Sequence, residues 1–212
     1  MIIDLATRRV VRQLPPLSPP AGELVDVTGW TADGRSILIV RQLSFDTSDV
    51  LVLDAMTGAV RLRVDTKEAL PQEAAADPTG RYLVVGTITG SLLILDAEDG
   101  HLLAPPLQAN EGTVNNVSIS PDGRYIAASG QPPRLTVWDS RTFRQVAVPL
   151  PLDVNAVDAR ARFAPDGRLV VATGPVLRAF TVDPAQWLAR ACREAGRVLT
   201  REEFEEVLPG RP

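Results

Sequence analysis

Four stretches of the chain nearly repeat one another: TADGRSILIV from residue 31, DPTGRYLVVGT from 77, SPDGRYIAASG from 120 and APDGRLVVATG from 164. Their turn glycines, Gly34, Gly80, Gly123 and Gly167, stand 46, 43 and 44 residues apart. A period of that length leaves a chain few options, because so short a unit cannot bury its own apolar face and must stack on its neighbours.

A second turn signal recurs out of phase with the first. The apolar runs VLVL, LLIL and LTVW lead to Asp54, Asp96 and Asp139, followed by AMTGAV, AEDGHL and SRTFRQV; near the N-terminus Ile2, Ile3 and Asp4 precede LATRRVV. Each period therefore holds four short extended segments rich in Val, Ile, Leu and Thr, with a turn between each pair. Asp-Gly and Thr-Gly suit those turns, since Gly takes positive φ cheaply and the Asp side chain satisfies nearby backbone N–H groups. Four antiparallel strands in about 43 residues is the sequence form of a β-propeller blade, and the fold class is all-β.

Trp138-Asp139 and the stretch VNNVSISPDGRYIAASGQPPRLTVWD at 114–139 carry a family resemblance. Over residues 1 to about 182 the chain resembles a bacterial WD40-repeat protein, which implies a partial WD40-type propeller. The family's Gly-His pair before the innermost strand is replaced by Ala109-Asn110. His101 follows Gly100 but opens an outer strand, so the hydrogen-bond network built on the family histidine is not expected. With strands a to d running from inner to outer, residues 1–20 hold c and d of a partial blade. Residues 21–65, 66–108 and 109–151 form complete blades, and 152–182 supply a to c of the last. Seventeen strands make little more than four blades. An open arc would expose terminal faces and an unpaired edge, so residue 1 is not expected to be the natural start of the architecture. Either the chain is the C-terminal part of a longer protein, or self-association or another chain closes or covers the arc.

Residues 183–212 differ in kind. Asp183 can cap a helix with Pro184 at its first position, and Trp187, Leu188, Ala191, Cys192 and Ala195 recur at helical spacing up to Gly196. Thr200 and Glu203 then form a capping box, Leu199 can staple onto Phe204, and Pro209-Gly210 terminate. The expectation is a short two-helix tail packed on the end of the arc. The order of Trp187, Ala191-Cys192-Arg193, Ala195-Gly196-Arg197 and Leu199-Thr200-Arg201 resembles the segment that ends many large actinobacterial WD40 proteins. That resemblance implies the sensor or docking end of a larger signalling or regulatory protein.

Composition narrows the partners. A net charge of −4 and a pI near 5.1 supply no basic field for nucleic acid or an anionic membrane. Cys192 is the single cysteine, which excludes an internal disulfide framework. No apolar run approaches the roughly 18 residues of a membrane span, and Asp4 interrupts any leader-like stretch, so the expected location is cytoplasmic.

No constellation of catalytic, cofactor-binding or metal-ligating residues is expected either. His101 is the only histidine and has no nucleophile motif beside it. Asp33, Asp122 and Asp166 each sit in a turn that offers too few oxygens for calcium. Cys192 lies on an apolar stripe, Glu202, Glu203, Glu205 and Glu206 read as a solvated helix face, and Lys67 belongs to no phosphate loop.

Alternating strand direction puts the short PDGR-type and Asp-Thr-Gly-type turns on one face and the variable loops on the other. Variable loops on a rigid scaffold are where recognition resides. The candidate partner contacts are Arg41, Phe45, Asp46, Glu68, Asn110, Glu111 and Gln131. The leading reading is a noncatalytic protein–protein interaction or scaffold module that binds a protein partner or an attached effector domain. The alternative is a lactonase-like propeller hydrolase, which needs His, Asp or Glu converging on the central channel; one histidine weighs against it.

Overall fold

The computed structural model describes residues 2–4, 6–13, 24–43, 47–146, 149–152, 157–183, 186–187, 193 and 200–203. Turn chemistry sets where its strands begin and end. Gly34, Gly80, Gly123 and Gly167 take φ of 66–80°, and each donates its N–H to the carbonyl three residues back at 2.8–2.9 Å. The preceding aspartate fixes the same turn from outside: Asp33 Oδ1 accepts from the Arg35 N–H at 3.0 Å, and Asp166 Oδ1 from the Arg168 N–H at 3.1 Å.

The second turn is also built on aspartate. Asp54 Oδ1 accepts from the Met56 and Thr57 N–H groups at 2.9 and 2.8 Å, and Asp139 Oδ1 from Arg141 and Thr142 at 3.1 and 3.0 Å. The Thr57 N–H leads the interactions that pull the Asp54 carboxyl down to about 2. Four residues after each such aspartate the backbone turns left-handed. Gly58 and Gly100 do this at φ 74° and 80°, but Arg8 and Phe143 do it at 54° and 53° with a side chain attached. Phe143 is held there by its ring, which meets Tyr82 edge-on at 6.2 Å between centroids.

Between these turns the described residues form five antiparallel sheets. β1 (Ile2–Asp4) and β2 (Arg9–Arg12) form a hairpin. The first full sheet is β3 (Leu24–Trp30), β4 (Ser36–Gln42), β5 (Ser48–Asp54) and β6 (Val60–Asp65), hydrogen-bonded in sequence order. The second is β7 (Pro71–Ala76), β8 (Tyr82–Thr87), β9 (Ser91–Asp96) and β10 (Leu107–Gln108). The third is β11 (Thr113–Ile119), β12 (Tyr125–Gln131), β13 (Arg134–Asp139) and β14 (Arg144–Gln145), with β15 (Leu150–Pro151) also on β13. The last is β16 (Arg160–Phe163), β17 (Leu169–Thr173) and β18 (Val176–Phe180).

This is a nearly all-β chain with the architecture of a partial WD40-type propeller. The described residues form eighteen strands rather than the expected seventeen, because the outer strand of the third sheet is split into β14 and β15. In the second sheet the outer strand shrinks to β10, preceded by a single bridge from Leu95 to Leu102.

Apolar side chains fill the spaces between successive sheets. Leu38, Val40, Val50 and Val52 face Leu83, Val85, Leu93 and Leu95 across the first gap. Tyr82, Val84, Leu92 and Ile94 face Val114, Val117, Ile126 and Trp138 across the second. Tyr125, Ala127, Leu135 and Val137 face Ala161, Leu169 and Val171 across the third. The innermost strands follow one another around the arc, β7 touching β3 and β11, and β11 touching β16.

At the C-terminal end, Trp187 packs against the last of these cores and donates its backbone N–H to Asp183 O at 3.1 Å. Thr200 and Glu203 form their capping box: the Thr200 N–H reaches Glu203 Oε2 at 2.9 Å, and the Glu203 N–H reaches Thr200 Oγ1 at 3.3 Å. Gln186, Trp187, Arg193 and residues 201–203 are helical. Leu188, Ala191, Cys192, Ala195, Phe204 and Pro209-Gly210 lie outside the described residues. No helix among the described residues is long and apolar enough to cross a membrane.

The second gap is closed by a glycine. A Cβ on Gly86 of β8 would lie 2.7 Å from Val114 Cγ1 and 2.8 Å from the Val114 carbonyl, a contact that only backbone movement relieves. Gly86→Ala therefore lowers stability by about 1–3 kcal/mol, read as a shift in the midpoint of urea unfolding.

Candidate functional site

On the variable-loop face, three loops of the second and third sheets lock together. They are the β8–β9 turn at 87–90, the segment at 109–112 entering β11, and the segment at 131–133 between β12 and β13. Asn110, 4% exposed, is the staple. Its amide nitrogen donates to the Thr113 and Pro132 carbonyls at 3.3 and 3.0 Å, and its side-chain oxygen accepts from the Glu111 N–H at 2.8 Å. The Gly90 carbonyl takes both the Ala109 and Asn110 N–H groups at 2.9 Å. Gln108 bridges the same turn, donating to the carbonyls of Thr89 and Asn110.

Glycine lets these backbones approach so closely. A Cβ at Gly90 would stand 2.1 Å from Asn110 O, one at Gly112 2.4 Å from Gln131 O, and one at Gly130 1.9 Å from Thr113 O. The result is a stiff platform rather than three separate loops. Its outward side carries Ile88, Gln131 and Pro132, all exposed, and an ion pair between Glu111 and Arg134 at 2.7 Å. Leu150, 41% exposed, borders it through β15.

The structure thus brings Asn110, Glu111 and Gln131 into one place, with Asn110 inside and the other two on the surface. Arg41 is elsewhere, on the first full sheet. It grips the buried Asp49 with both Nε and a terminal nitrogen, at 2.8 and 2.6 Å, and Arg63 adds a third contact at 2.7 Å. Phe45 and Asp46, and the side chain of Glu68, lie outside the described residues. Sequence reasoning passed over Ile88, Gln108 and Arg134; the signal available was the glycine flanking each loop, since Gly90, Gly112 and Gly130 mark close backbone approach.

A second polar cluster went unread as well. Glu73 on β7 accepts from the Asn116 amide on β11 at 3.1 Å, and Asn116 Oδ1 accepts from the Ala161 N–H of the last sheet at 2.7 Å. Arg162 on β16 pairs with the other Glu73 oxygen and donates to the Val117 carbonyl at 3.1 Å. Burial pushes the Glu73 carboxyl above its ordinary value, opposed by the Arg162 charge and the Asn116 hydrogen bond. Glu73 and Asn116 each stand seven residues before a turn glycine, so a polar residue recurring at one register of an apolar strand was the clue.

The inner strands β3, β7, β11 and β16 carry Asp26 and Glu73 as their only acids and no histidine. His101 sits in the exposed Asp96–His101 turn, its Nδ1 2.5 Å from Asp99 Oδ1, and that hydrogen bond raises its pKa. Asp96, Asp99 and His101 gather within 4.8 Å, yet Asp96 Oδ1 already accepts from the Glu98 and Asp99 N–H groups as an ordinary turn cap. The Trp138 indole N–H finds no acceptor among the described residues, consistent with Ala109-Asn110 in place of the family's Gly-His pair.

Stacked antiparallel sheets joined by interlocked loops define the class: a propeller portion of the WD40 type. The comparisons agree at low identity. No protein-family model matches the chain. Over 134 residues it is 28% identical to WD repeat-containing protein 3 of Mus musculus, covering 59% of this chain and 14% of that protein. Over 56 residues it is 45% identical to Echinoderm microtubule-associated protein-like 2 of Homo sapiens, covering 26% and 8%. Over 122 residues it is 28% identical to Actin-interacting protein 1-2 of Arabidopsis thaliana, covering 52% and 20%. The chain is similar to WD-repeat proteins and spans only a small part of the length of those it matches.

Asn110 and Glu111 separate structure from surface. Asn110→Ala costs about 1–3 kcal/mol, because it removes three hydrogen bonds that tie part-buried backbone groups of two loops together. Glu111→Ala leaves the unfolding midpoint close to wild type, since exposed ion pairs contribute little. Denaturant unfolding followed by tryptophan fluorescence distinguishes the two.

Proposed function

We propose that the chain is a noncatalytic scaffold module, the docking end of a larger bacterial signalling or regulatory protein, and that it binds a protein partner on the platform at Ile88, Glu111, Gln131 and Pro132. The observation that carries this reading is rigidity. Asn110, Gln108 and three close-packed glycines hold exposed apolar and polar groups in a fixed arrangement. Association onto such a surface orders few additional groups, which is what favours binding at a preorganised site.

The similarity to WD-repeat proteins supports a protein partner, and the names of two relatives speak of association with microtubules and with actin. A net charge of −4 supports the same choice over nucleic acid. In this reading residues 1–182 are the propeller blades, residues 183–212 a helical tail, and the location is cytoplasmic. Within the platform, Ile88 and Pro132 act as the apolar centre and Glu111, Gln131 and Arg134 as the polar rim, the usual anatomy of a protein interface.

Photo-crosslinking groups placed at Glu111 and Gln131, and on the opposite face at Arg35 and Arg124, test the assignment in source cells. The expected result is a discrete crosslinked protein from Glu111 and Gln131 that Ile88→Asp weakens about tenfold or more without altering the unfolding midpoint. Crosslinks arising only from Arg35 and Arg124 would overturn the placement.

A further inference from the structure

The last sheet, β16–β18, joins the arc through an apolar core on one face and through the polar cluster at its inner strand. Within that cluster the two charged partners are unequally placed. The Glu73 side chain is 10% exposed and the Arg162 side chain 53%. Arg162 is therefore open to solvent and Glu73 far less so. Arg162 also donates to the Val117 carbonyl at 3.1 Å, and two neutral ties lie beside it: the Ala161 N–H to Asn116 Oδ1 at 2.7 Å, and the Phe163 N–H to Ser118 Oγ at 3.0 Å.

We infer that docking of the last sheet is gated by charge at Arg162: while Arg162 faces Glu73 the sheet stays on the arc, and withdrawing or neutralising Arg162 strands the Glu73 carboxylate in the interior and favours release of β16–β18. Removing one partner of a buried ion pair is strongly destabilising, whereas neutralising both is often close to neutral. Arg160 does not replace Arg162, although its charge also reaches Glu73, because it projects into solvent beside Asp158, 3.8 Å away. Among the described residues, the other elements packed on β7 bring no cation that could replace Arg162. β3 offers Asp26, β5 Asp49 and Asp54, β8 Tyr82, and β11 no ionisable group, while Arg41 of β4 is engaged by Asp49.

The sign of the pH dependence follows from burial. Glu73 holds its proton more tightly in the folded chain than the ordinary glutamate value of 4.5 allows. Below that value the group is neutral whether the sheet is docked or not, and Arg162 has no charge to compensate. As pH rises through and beyond the raised folded value, Glu73 ionises inside the protein and the dependence on Arg162 sets in.

Hydrogen–deuterium exchange of the full chain, corrected for intrinsic rates, tests the gate with Arg162→Met, Glu73→Gln and the double variant. At pH 7.5 Arg162→Met is expected to lower protection of residues 160–180 about tenfold or more, with residues 82–96 unchanged. Glu73→Gln combined with Arg162→Met is expected to restore most of that protection, and at pH 4 Arg162→Met is expected to match wild type. If Arg162→Met unfolds at pH 7.5, recovery of the fold at pH 4 and in the double variant supports the gate equally. A loss of protection that is the same at both pH values, or that persists in the double variant, overturns it. Arg162 would then act only through packing and its bond to the Val117 carbonyl.

Discussion

Every sheet in the middle of this chain has two apolar faces and therefore needs two neighbours. On β8, Leu83 and Val85 enter the core shared with the first full sheet, while Tyr82 and Val84 enter the core shared with the third. On β9, Leu93 and Leu95 go one way and Leu92 and Ile94 the other. A four-stranded sheet built like this cannot stand alone in water, since burying one face leaves the other exposed. Stacking into an arc is the solution, and it explains why runs such as LLIL and VLVL show no polar alternation. The same demand reaches the last sheet, where Leu169 and Val171 are buried against the third sheet but Leu177 on β18 is 71% exposed.

Much of this was legible because it is local. A turn needs an aspartate to cap it and a glycine to bend it, both within four residues, so the spacing of Gly34, Gly80, Gly123 and Gly167 reports the period directly. What stayed hidden depends on contacts between distant residues. The repeat register puts Phe143 where Gly58 and Gly100 stand, but does not say what lets a side chain occupy a glycine's backbone angle; Tyr82, 61 positions earlier in the chain, supplies the contact that keeps it there. The division of one outer strand into β14 and β15 does have a marker, Pro149, which has no N–H to give a ladder, but its effect shows only once the strand is paired. Arg41 illustrates a different gap. In RQLSFDTSD both its charge and that of Asp49 look like loop solvation, whereas pleating brings the two opposite each other on adjacent strands and buries the acid.

The loop platform shows the same division between what is local and what is not. Variable loops could be located by topology alone, and three candidate residues do converge there. Their roles separate only in three dimensions. Asn110 looks as solvent-facing as Glu111 in QANEG, yet its amide replaces backbone partners that the crossing loops would otherwise lack, and it is buried for that reason.

Glu73, Asn116 and Arg162 complete this pattern at the inner edge. Hydrophobic cores between sheets tolerate apolar substitutions that conserve volume, so apolar contacts alone specify the pairing of sheets loosely. A carboxylate, an amide and a guanidinium that must meet at hydrogen-bond distance allow no such looseness. Nor can the cluster be valued as simple stabilisation: burial raises the Glu73 carboxyl, so its charge is carried at a cost that Arg162 and Asn116 only partly offset. What the network supplies instead is register. It fixes β7, β11 and β16 relative to one another across three sheets, and because one of its members is half exposed, that register is open to influence from outside the fold.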